Sequence, residues 1–383
     1  MASETLLIVV TEDWYFLSHR LDLARAARDV GWRVVVATGP GERSAEIRDA
    51  GLEHREFPLD RRSTNPLVEL RSVFGLTRIM RQVRPDLVHL VAAKPIVYGN
   101  IAARLSGAPA VLNAVAGMGY LYLGQGLGRQ VMRGLYERTF RTMIRTSRTA
   151  RVLVQNRDDA TLLVERRLAR SEQIDVVTGS GVDLVRFPSL PPAPGVVTVL
   201  MHSRMLWDKG VGELVAATRL LRRQRVKPFR VLLAGAPDPA NPAAVPVARL
   251  EEWTRQGLVD WLGRRNDIPE LLQSCHIACL PSYREGAPLS LIEAAAAGRA
   301  IVTTDVPGCR AIVADGDNGL LVPARDPTRL AAALKRLVED EPLRTRMGAR
   351  GRQRAEHEFA TSIVNDTILT TYQRMMQSRR GDM

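Results

Sequence analysis

Short, almost unbroken apolar segments alternate with longer helical patterns along the whole chain, and this alternation constrains the fold more than any other feature. The strands predicted in the first half are Leu6–Thr11, Arg33–Thr38, Asp86–Val91, Ala110–Ala114 and Arg151–Gln155. The helices predicted between them include Leu17–Val30, Val68–Val83 and Ile96–Leu105. Apolar strands separated by helices are typical of a parallel sheet that helices cover on both faces. The first half is therefore predicted to be a doubly wound α/β domain.

The alternation stops at residues 187–195 and then begins again. Four of these nine residues are proline, which predicts a stiff, extended connection between domains. The strands predicted beyond it are Val197–His202, Phe229–Ala234, Val259–Leu262, Ile277–Pro281 and Ala300–Thr304. The helices predicted there include Val211–Arg222, Leu289–Ala297, Thr328–Asp340, Pro342–His357 and Thr361–Gln377. We expect one domain over residues 1–188, a second over 196–360, and a C-terminal helix within 361–383 that packs back on the first domain.

The charge balance points to an anionic partner. Lys and Arg number 54 against 41 Asp and Glu, a formal net charge of +13, which favours nucleic acid, an acidic membrane or phosphorylated ligands. Nucleic acid is disfavoured, because no binding motif is recognisable and only 5% of the residues are aromatic. Three cysteines form no disulfide framework, and neither a signal peptide nor a run of ~18 apolar residues is visible. We expect a cytoplasmic protein, soluble or peripheral on the membrane.

The segment Cys279–Ala297 carries the strongest pattern for chemistry, with a strand, a polar turn and a helix. Pro288 suits the first helical turn, where the N–H groups of Leu289 and Ser290 can face an anion. Glu285 in the turn and Glu293 in the helix are predicted to lie roughly 10 Å or more apart, at ~1.5 Å rise per helical residue. That separation is too large for a retaining glycosidase pair at ~5 Å. We expect the two acids to hold two ends of one extended ligand; a surface helix with incidental acids is the alternative.

Two cations follow the first strand of the second half. Arg204 and Lys209 stand in the loop that leads to the next helix. Carboxyl ends of strands are where ligands bind in open α/β sheets, so the two cations are expected near Glu285. A guanidinium fork and an ammonium point charge suit a diphosphate. Taken alone, they also fit two solvated loop side chains.

A literal Asp-x-Asp occurs at Asp315-Gly316-Asp317. It has the form of a metal site, but the composition of residues 315–319 is that of a turn between a helix and a strand. We predict the turn and no metal.

An arginine-rich helix is predicted within residues 124–151. Its apolar residues recur at helical spacing and are Val131, Met132, Leu135, Tyr136, Phe140, Met143 and Ile144. The arginines of the segment are Arg129, Arg133, Arg138, Arg141, Arg145, Arg148 and Arg151. A basic amphipathic helix is typical of a membrane-surface element, and we expect contacts with anionic lipid from Arg129, Arg133, Arg141, Arg145 and Arg148. The alternative is an ordinary core-facing helix with a solvated basic face.

These motifs together resemble family 4 of the retaining glycosyltransferases, which have the GT-B fold. The resemblance rests on Glu285-Gly286-x-Pro288 with Glu293-Ala294, on Arg204 and Lys209-Gly210, and on residues 181–183, 304–310 and 317–322. The first half resembles the branch that assembles bacterial surface polysaccharides on polyprenyl-diphosphate carriers, through residues 13–20, 89–95 and 117–120. The similarity covers essentially the whole chain.

The resemblance implies two Rossmann-like domains that face each other across a cleft, with the acceptor on the first domain and the donor on the second. It implies that Glu293 holds the ribose, that Glu285 contacts the donor sugar, and that Arg204 and Lys209 neutralise the leaving diphosphate. It also implies a donor site that includes Gly286, Leu289, Ser290 and residues Arg264 to Ile268. His19, Arg20 and Lys94 are expected near the acceptor, although a structural histidine and a solvated lysine are ordinary alternatives.

The resemblance thus implies a metal-independent hexosyltransferase that uses a nucleotide-diphosphate sugar, UDP-linked by family frequency, and no separate cofactor. The acceptor is expected to be a polyprenyl-diphosphate-linked saccharide at the cytoplasmic membrane face. Three alternatives remain open at this point: a nucleotide-sugar epimerase of similar architecture, a glycosyltransferase with a soluble acceptor, and a non-enzymatic sugar-binding protein. The acid pair and the basic helix favour transfer.

Overall fold

The chain divides into two compact units. The computed structural model describes residues 3–60, 63, 65–115, 127–145, 149–224, 226–239 and 241–381. Unit 1 comprises Met1–Ser180 together with Val364–Met383, and unit 2 is Gly181–Ile363. None of the helices in these ranges combines the length and the apolar character of a membrane span.

Unit 1 contains a seven-stranded parallel sheet in the order β3-β2-β1-β4-β5-β6-β7. Its strands are β1 (Thr5–Val9), β2 (Arg33–Thr38), β3 (Glu53–Glu56), β4 (Leu87–Val91), β5 (Val111–Val115), β6 (Ala150–Val154) and β7 (Ile174–Val176). Its first helices are α1 (Asp13–His19), α2 (Leu21–Asp29), α3 (Ser44–Asp49), α4 (Pro66–Val83), α5 (Ala93–Ser106), α6 (Leu127–Arg145) and α7 (Arg157–Glu165). A short 3-10 turn at Ser171–Gln173 precedes β7.

Two apolar layers sandwich this sheet, because alternate strand residues point to opposite faces. Leu7 and Val88 on one face pack in a cluster with side chains of α4, α5, α6 and α7. Leu6 and Leu87 on the other face pack in a second cluster with side chains of α1, α2, α3 and the C-terminal helix. Helices α4, α5 and α6 therefore cover one side of unit 1.

Unit 2 contains a six-stranded parallel sheet in the order β10-β9-β8-β11-β12-β13. Its strands are β8 (Val197–His202), β9 (Phe229–Ala234), β10 (Asp260–Trp261), β11 (Ile277–Leu280), β12 (Ala300–Thr304) and β13 (Gly319–Val322). Its helices are α8 (Val211–Arg223), α9 (Val247–Arg255), α10 (Ile268–Ser274), α11 (Leu289–Ala296), α12 (Pro307–Ile312), α13 (Pro327–Glu339) and α14 (Glu341–Arg354). A 3-10 turn at Trp207–Lys209 precedes α8, and a π-helical turn at Ala355–Phe359 follows α14.

The division between the units precedes the proline-rich segment. Residues 181–195 belong to unit 2, because Val182 and Phe187 are buried in its core. The Arg299 guanidinium is also buried and donates to the Leu190 carbonyl, which fixes the proline-rich stretch to unit 2. The prolines therefore lie within unit 2 and do not mark its border.

The last helix, α15 (Thr361–Gly381), returns the chain to unit 1. Tyr372 is fully buried there and packs edge-on against Trp32, with ring centroids 5.9 Å apart. Its hydroxyl lies 2.5 Å from Nδ1 of the buried His89 in β4. Arg379 near the helix end donates to Asp86 over 2.8 Å.

Candidate functional site

The predicted donor-site residues of unit 2 lie in loops at one edge of its sheet. Strands β8 and β11 are neighbours at the centre of the sheet. The strand after β8 is added on one side of this pair, and the strand after β11 is added on the other side. Such a switch point is where ligands bind in open α/β sheets. Lys209 belongs to the loop after β8, and Glu285 to the loop after β11. The two loops therefore converge at the expected place.

Lys209 and Glu285 form an ion pair at this edge. The Lys209 ammonium donates to Oε1 of Glu285 over 2.5 Å. The two side chains are 19% and 10% exposed, so the pair is largely shielded from water. An ammonium group has three N–H donors, so one bond to Glu285 does not exhaust what Lys209 can bind.

Close backbone packing fixes both loops. Gly210 has φ +79°, and a Cβ built on it would lie 2.0 Å from the carbonyl oxygen of Pro281. The Asp208 carbonyl accepts hydrogen bonds from the Tyr283 amide (2.9 Å) and the Ser282 hydroxyl (3.1 Å). These contacts require glycine at position 210 and hold the Lys209 loop against the Glu285 loop.

A second glycine allows the start of α12 to pack against the Glu285 loop. A Cβ on Gly308 would lie 2.4 Å from the Gly286 carbonyl oxygen and 2.6 Å from the Glu285 carbonyl oxygen. The adjacent Cys309 thiol is buried, and this burial together with the charge of Glu285 raises its pKa to about 12. The thiol is therefore protonated at neutral pH and packs as a small apolar group.

Glu293 lies on α11, and a histidine that sequence reasoning left without a role holds it in place. Nε2 of His202, the last residue of β8, lies 3.0 Å from Oε2 of Glu293. The side chains are 8% and 16% exposed. His202 and Glu293 meet because of their places in the sheet: β8 ends beside β11, and β11 leads into α11. A polar residue at the end of a buried strand was the available signal for His202.

The remaining predicted donor residues lie around these two pairs. Arg204 donates to Asp238, in the loop after β9, over 3.2 Å, and its side chain is 44% exposed. Leu289 and Ser290 begin α11, and their N–H groups have no intrahelical partner. Arg264 and Ile268 follow β10, and Ile268 begins α10. All these residues belong to the carboxyl edge of the unit 2 sheet.

Tyr283 was not predicted as a site residue, and it adds a polar group to the Glu285 loop. Its hydroxyl donates to Oε1 of Glu213 over 2.6 Å, and the Arg325 guanidinium lies 4.5 Å from its ring centroid. Burial and the bond to Glu213 raise the pKa of Tyr283 to about 12, so the phenol stays protonated. The phenol therefore donates its one O–H to Glu213, and this bond fixes the Tyr283 side chain.

The Asp315-Gly316-Asp317 segment is the predicted turn between α12 and β13. Gly316 has φ +76°, the Asp315 carboxylate accepts from the Leu321 amide, and Asp317 pairs with Arg350. Both carboxylates thus have partners within the protein.

In unit 1, His19 is the last residue of α1, and Arg20 lies between α1 and α2. The His19 ring stacks on Tyr15, with centroids 4.2 Å apart, and its Nδ1 lies 2.6 Å from the Ser18 hydroxyl. Burial and the charge of Arg20 lower the pKa of His19 to about 4. Arg20 is buried and donates to Ser180 over 3.0 Å. The imidazole is therefore neutral at physiological pH.

Lys94, at the start of α5, has three partners within the protein. Its ammonium donates to the carbonyls of Asp60 and Ser63, each over 2.7 Å, and to Glu69 over 2.8 Å. Three bonds match the three donors of an ammonium group. The structure thus gives Lys94 the role of a tether for the segment before α4, and its predicted contact with an acceptor would require it to exchange partners.

The arginine-rich helix α6 packs in the core and also presents cations. Phe140 and Ile144 are buried on its inner side. Arg141 donates to the carbonyls of Arg166 and Arg167, and Arg145 also donates to Arg167, so both cap the end of α7. Arg133 is partly buried.

Three of the segment's arginines stand apart from this description. Arg129 is in α6, but its side chain lies outside the described part of the chain, and Arg148 lies outside the described residues altogether, as do residues 117–120. Arg151 is not on the helix face: it belongs to β6 and pairs with Asp175 over 2.7 Å.

Comparison with known proteins agrees with this architecture. The family Glycosyl transferases group 1 matches residues 187–354, and the family Glycosyl transferase 4-like matches residues 5–156. A solved Anabaena protein, HepE in complex with UDP and glucose, has a similar structure with a TM-score of 0.77. It is 20% identical, and the match covers 97% of this chain and 100% of that one.

Two curated relatives are enzymes of lipid-linked glycan assembly. The chain is 30% identical to the N,N'-diacetylbacillosaminyl-diphospho-undecaprenol alpha-1,3-N-acetylgalactosaminyltransferase of Campylobacter jejuni, over 95% of this chain and 99% of that protein. It is 24% identical to the UDP-Gal:alpha-D-GlcNAc-diphosphoundecaprenol alpha-1,3-galactosyltransferase of Escherichia coli, over 74% of each chain. The fold, the family matches and the full-length relative agree that this chain belongs to the group 1 glycosyltransferases of family 4 and is a glycosyltransferase of the GT-B fold.

Proposed function

We propose that the enzyme transfers a hexose or N-acetylhexosamine, with retention, from a nucleotide-diphosphate sugar to a polyprenyl-diphosphate-linked saccharide. The part of the proposal that concerns the donor rests on one observation. Four side chains converge at one switch point of the sheet: Arg204, Lys209, Glu285 and Glu293. The acceptor half rests on the Campylobacter jejuni relative, whose acceptor is carried on undecaprenyl diphosphate. UDP is the proposed nucleotide, supported by the name of the Escherichia coli relative and by the UDP bound to the Anabaena protein.

Each donor-site group has a distinct task in this proposal. Glu293, oriented by its contact with His202, accepts hydrogen bonds from the ribose hydroxyls. Glu285 accepts hydrogen bonds from hydroxyls of the donor sugar, and the packing of its loop against Gly308 sets its position. Residues 264–268 contact the base. A carboxylate is acceptor-only when ionised, so both acids suit polyols.

The cations act on charge that develops as the glycosidic bond breaks. The diphosphate gains negative charge in the transition state, where Lys209, Arg204 and the N–H groups of Leu289 and Ser290 stabilise it. The acceptor hydroxyl attacks on the face that the diphosphate leaves, and the departing phosphate takes its proton. The configuration at the anomeric carbon is then retained without an enzyme nucleophile, and no metal or further cofactor takes part.

On the acceptor side we propose that the enzyme works at the cytoplasmic membrane face as a peripheral protein. The exposed arginines of α6 attract anionic lipid. Arg20 and His19 lie after β1, at the carboxyl edge of the unit 1 sheet, where an acceptor is expected.

The test is a panel of UDP- and GDP-sugars offered with a defined undecaprenyl-diphosphate disaccharide. We expect nucleotide release only when the acceptor is present, and a product whose new linkage is α by NMR. An epimer formed without acceptor, or equal transfer to the same disaccharide lacking its lipid diphosphate, would contradict the proposal. Turnover that EDTA abolishes and magnesium restores would contradict the metal-free mechanism.

A matched pair of variants tests the role of Arg204. Arg204→Ala should lower kcat by about 10²-fold or more, with a smaller change in donor KM, because the group acts on transition-state charge. Arg230→Ala removes an exposed arginine of the same unit, paired with Asp260, and should leave kcat unchanged. Equal effects of the two substitutions would remove Arg204 from the site.

A further inference from the structure

The outer face of α4 carries a stripe of exposed apolar side chains. Leu67, Leu70 and Phe74 are 70%, 49% and 60% exposed. Their spacing of three and four residues places them on one face of the helix. A separate set of α4 side chains, which includes Leu76 and Met80, fills the core of unit 1. We call Leu67, Leu70 and Phe74 the α4 stripe.

Cations flank the α4 stripe on the same helix face. Arg71 stands four residues after Leu67, and Arg78 stands four residues after Phe74; both are exposed. The single acid of α4 is Glu69, which is turned away: its carboxylate accepts from Lys94 over 2.8 Å and from the Tyr98 hydroxyl, both on α5. The exposed face of α4 is therefore apolar and cationic.

The helix that carries the α4 stripe lies on the same side of the unit 1 sheet as the arginine-rich helix. Side chains of α4, α5 and α6 pack in the same core cluster, on the same side of the sheet. Helix α4 begins after the carboxyl end of β3, so its first half, which holds the stripe, lies toward the ligand-binding edge of unit 1. One side of unit 1 thus combines apolar side chains on α4 with arginines on α6.

We propose that the α4 stripe inserts into the interface of an anionic bilayer, with Arg71 and Arg78 on the lipid phosphates. This inference rests on the proposed function, because an acceptor with a polyprenyl anchor is held at such a surface. Apolar side chains on a basic helix face are the features that bind a helix in the plane of a membrane interface. The apolar part of this binding does not depend on charge, so it resists salt that screens the arginines.

The test uses full-length protein and vesicles of phosphatidylcholine with phosphatidylglycerol, sedimented at low and high salt. The combined substitution Leu67→Ser, Leu70→Ser and Phe74→Ser should weaken vesicle binding by at least about thirtyfold, because three inserted side chains lose their apolar contact. The control combines Val30→Ser, Val185→Ser and Leu190→Ser, which are exposed at 61%, 89% and 50% outside α4, and should bind as the parent does. Equal binding by the stripe variant and the control at high salt would overturn the proposal.

A labelled variant keeps the proposal testable even if the serine substitutions disturb folding. The three native cysteines are buried, so a cysteine introduced by Phe74→Cys can be labelled selectively with an environment-sensitive dye. Vesicles should shift the emission of this dye to shorter wavelength and leave a dye at Val185→Cys unchanged. The absence of a shift at position 74 under conditions where the protein pellets would overturn the proposal.

Two further measurements distinguish membrane binding from self-association and test the proposed function separately. If the parent is a dimer and the stripe variant is a monomer with unchanged vesicle binding, a second copy of the chain covers the stripe and the proposal fails. Transfer to a short, water-soluble polyprenyl-diphosphate acceptor without vesicles should be equal for parent and stripe variant. Failure of the parent in that assay contradicts the proposed function, whereas unchanged vesicle binding of the stripe variant contradicts only the membrane inference.

Discussion

Removal of Lys209 should destabilise unit 2 because it leaves Glu285 as an unpaired, largely buried carboxylate. Breaking a fully buried ion pair costs roughly 3–5 kcal/mol. The two side chains retain 19% and 10% exposure, so we expect about 2–3 kcal/mol for Lys209→Met. For a unit of this size that corresponds to a Tm lower by about 4–12 °C.

A double-mutant cycle isolates the pair. Glu285→Gln alone should cost about 1 kcal/mol, because the amide oxygen still accepts from Lys209. Lys209→Met together with Glu285→Gln should be more stable than Lys209→Met alone, because no charge is left unpaired. We expect a coupling energy of at least about 1 kcal/mol, measured by urea unfolding and calorimetry.

The control cycle uses Arg230 and Asp260 of the same unit, whose side chains are 59% and 48% exposed. Exposed pairs of this kind typically contribute about 0.2–1 kcal/mol. A Lys209–Glu285 coupling as small as that of the control would refute the reasoning that the pair holds the two loops together. The backbone contacts of Gly210 and Asp208 would then be what holds the two loops together.

Three further predictions concern the donor site and unit 1. Glu293→Ala should weaken UDP binding by about 1.5–3 kcal/mol through loss of a charged acceptor, and His202→Phe by less; unchanged affinity in calorimetry would remove Glu293 from the nucleotide site. Gly308→Ala should lower kcat at least about tenfold, because the new Cβ would meet the Glu285 and Gly286 carbonyls. The control Gly134→Ala, which has nothing within 4 Å of its Cβ, should leave kcat unchanged. Equal steady-state rates of the two variants would contradict this prediction. His19 stays neutral in the folded protein down to about pH 4 but takes up a proton near pH 6.5 when unfolded, so its contribution to stability is complete above pH 6.5 and is lost as the pH falls toward 4. His19→Gln should therefore lose less stability than the parent over that interval in urea unfolding, and parallel pH profiles would count against the burial of His19.

The central strands could be predicted because they are buried on both faces and so read as continuous apolar runs. Strands β2, β8, β9 and β12 have the predicted bounds. The edge strand β3 was missed, because its sequence Glu-His-Arg-Glu is polar and mostly exposed. Charged edge strands carry no apolar signal, although their backbone still pairs with the neighbouring strand.

The sequence also predicts which loops of unit 2 meet, but not the contacts they make. That Lys209 and Glu285 belong to the same sheet edge follows from strand order alone. Their pairing, and that of His202 with Glu293, depends on the register of β8 against β11 and on glycines that allow close approach. Such distances arise from packing between segments about 76 and 91 residues apart in the chain, which no local pattern encodes.

The position of α15 has a consequence for the order in which the protein is made. Unit 2 is continuous in sequence, whereas unit 1 completes one of its two core layers only with Ile368, Tyr372 and Met375 from the end of the chain. A ribosome releases these residues only after all of unit 2. The strands of unit 1 are synthesised before unit 2 but should therefore reach their final structure after it, because one apolar face of their sheet stays uncovered until α15 has been synthesised. Unit 2 can close its own core while that wait continues.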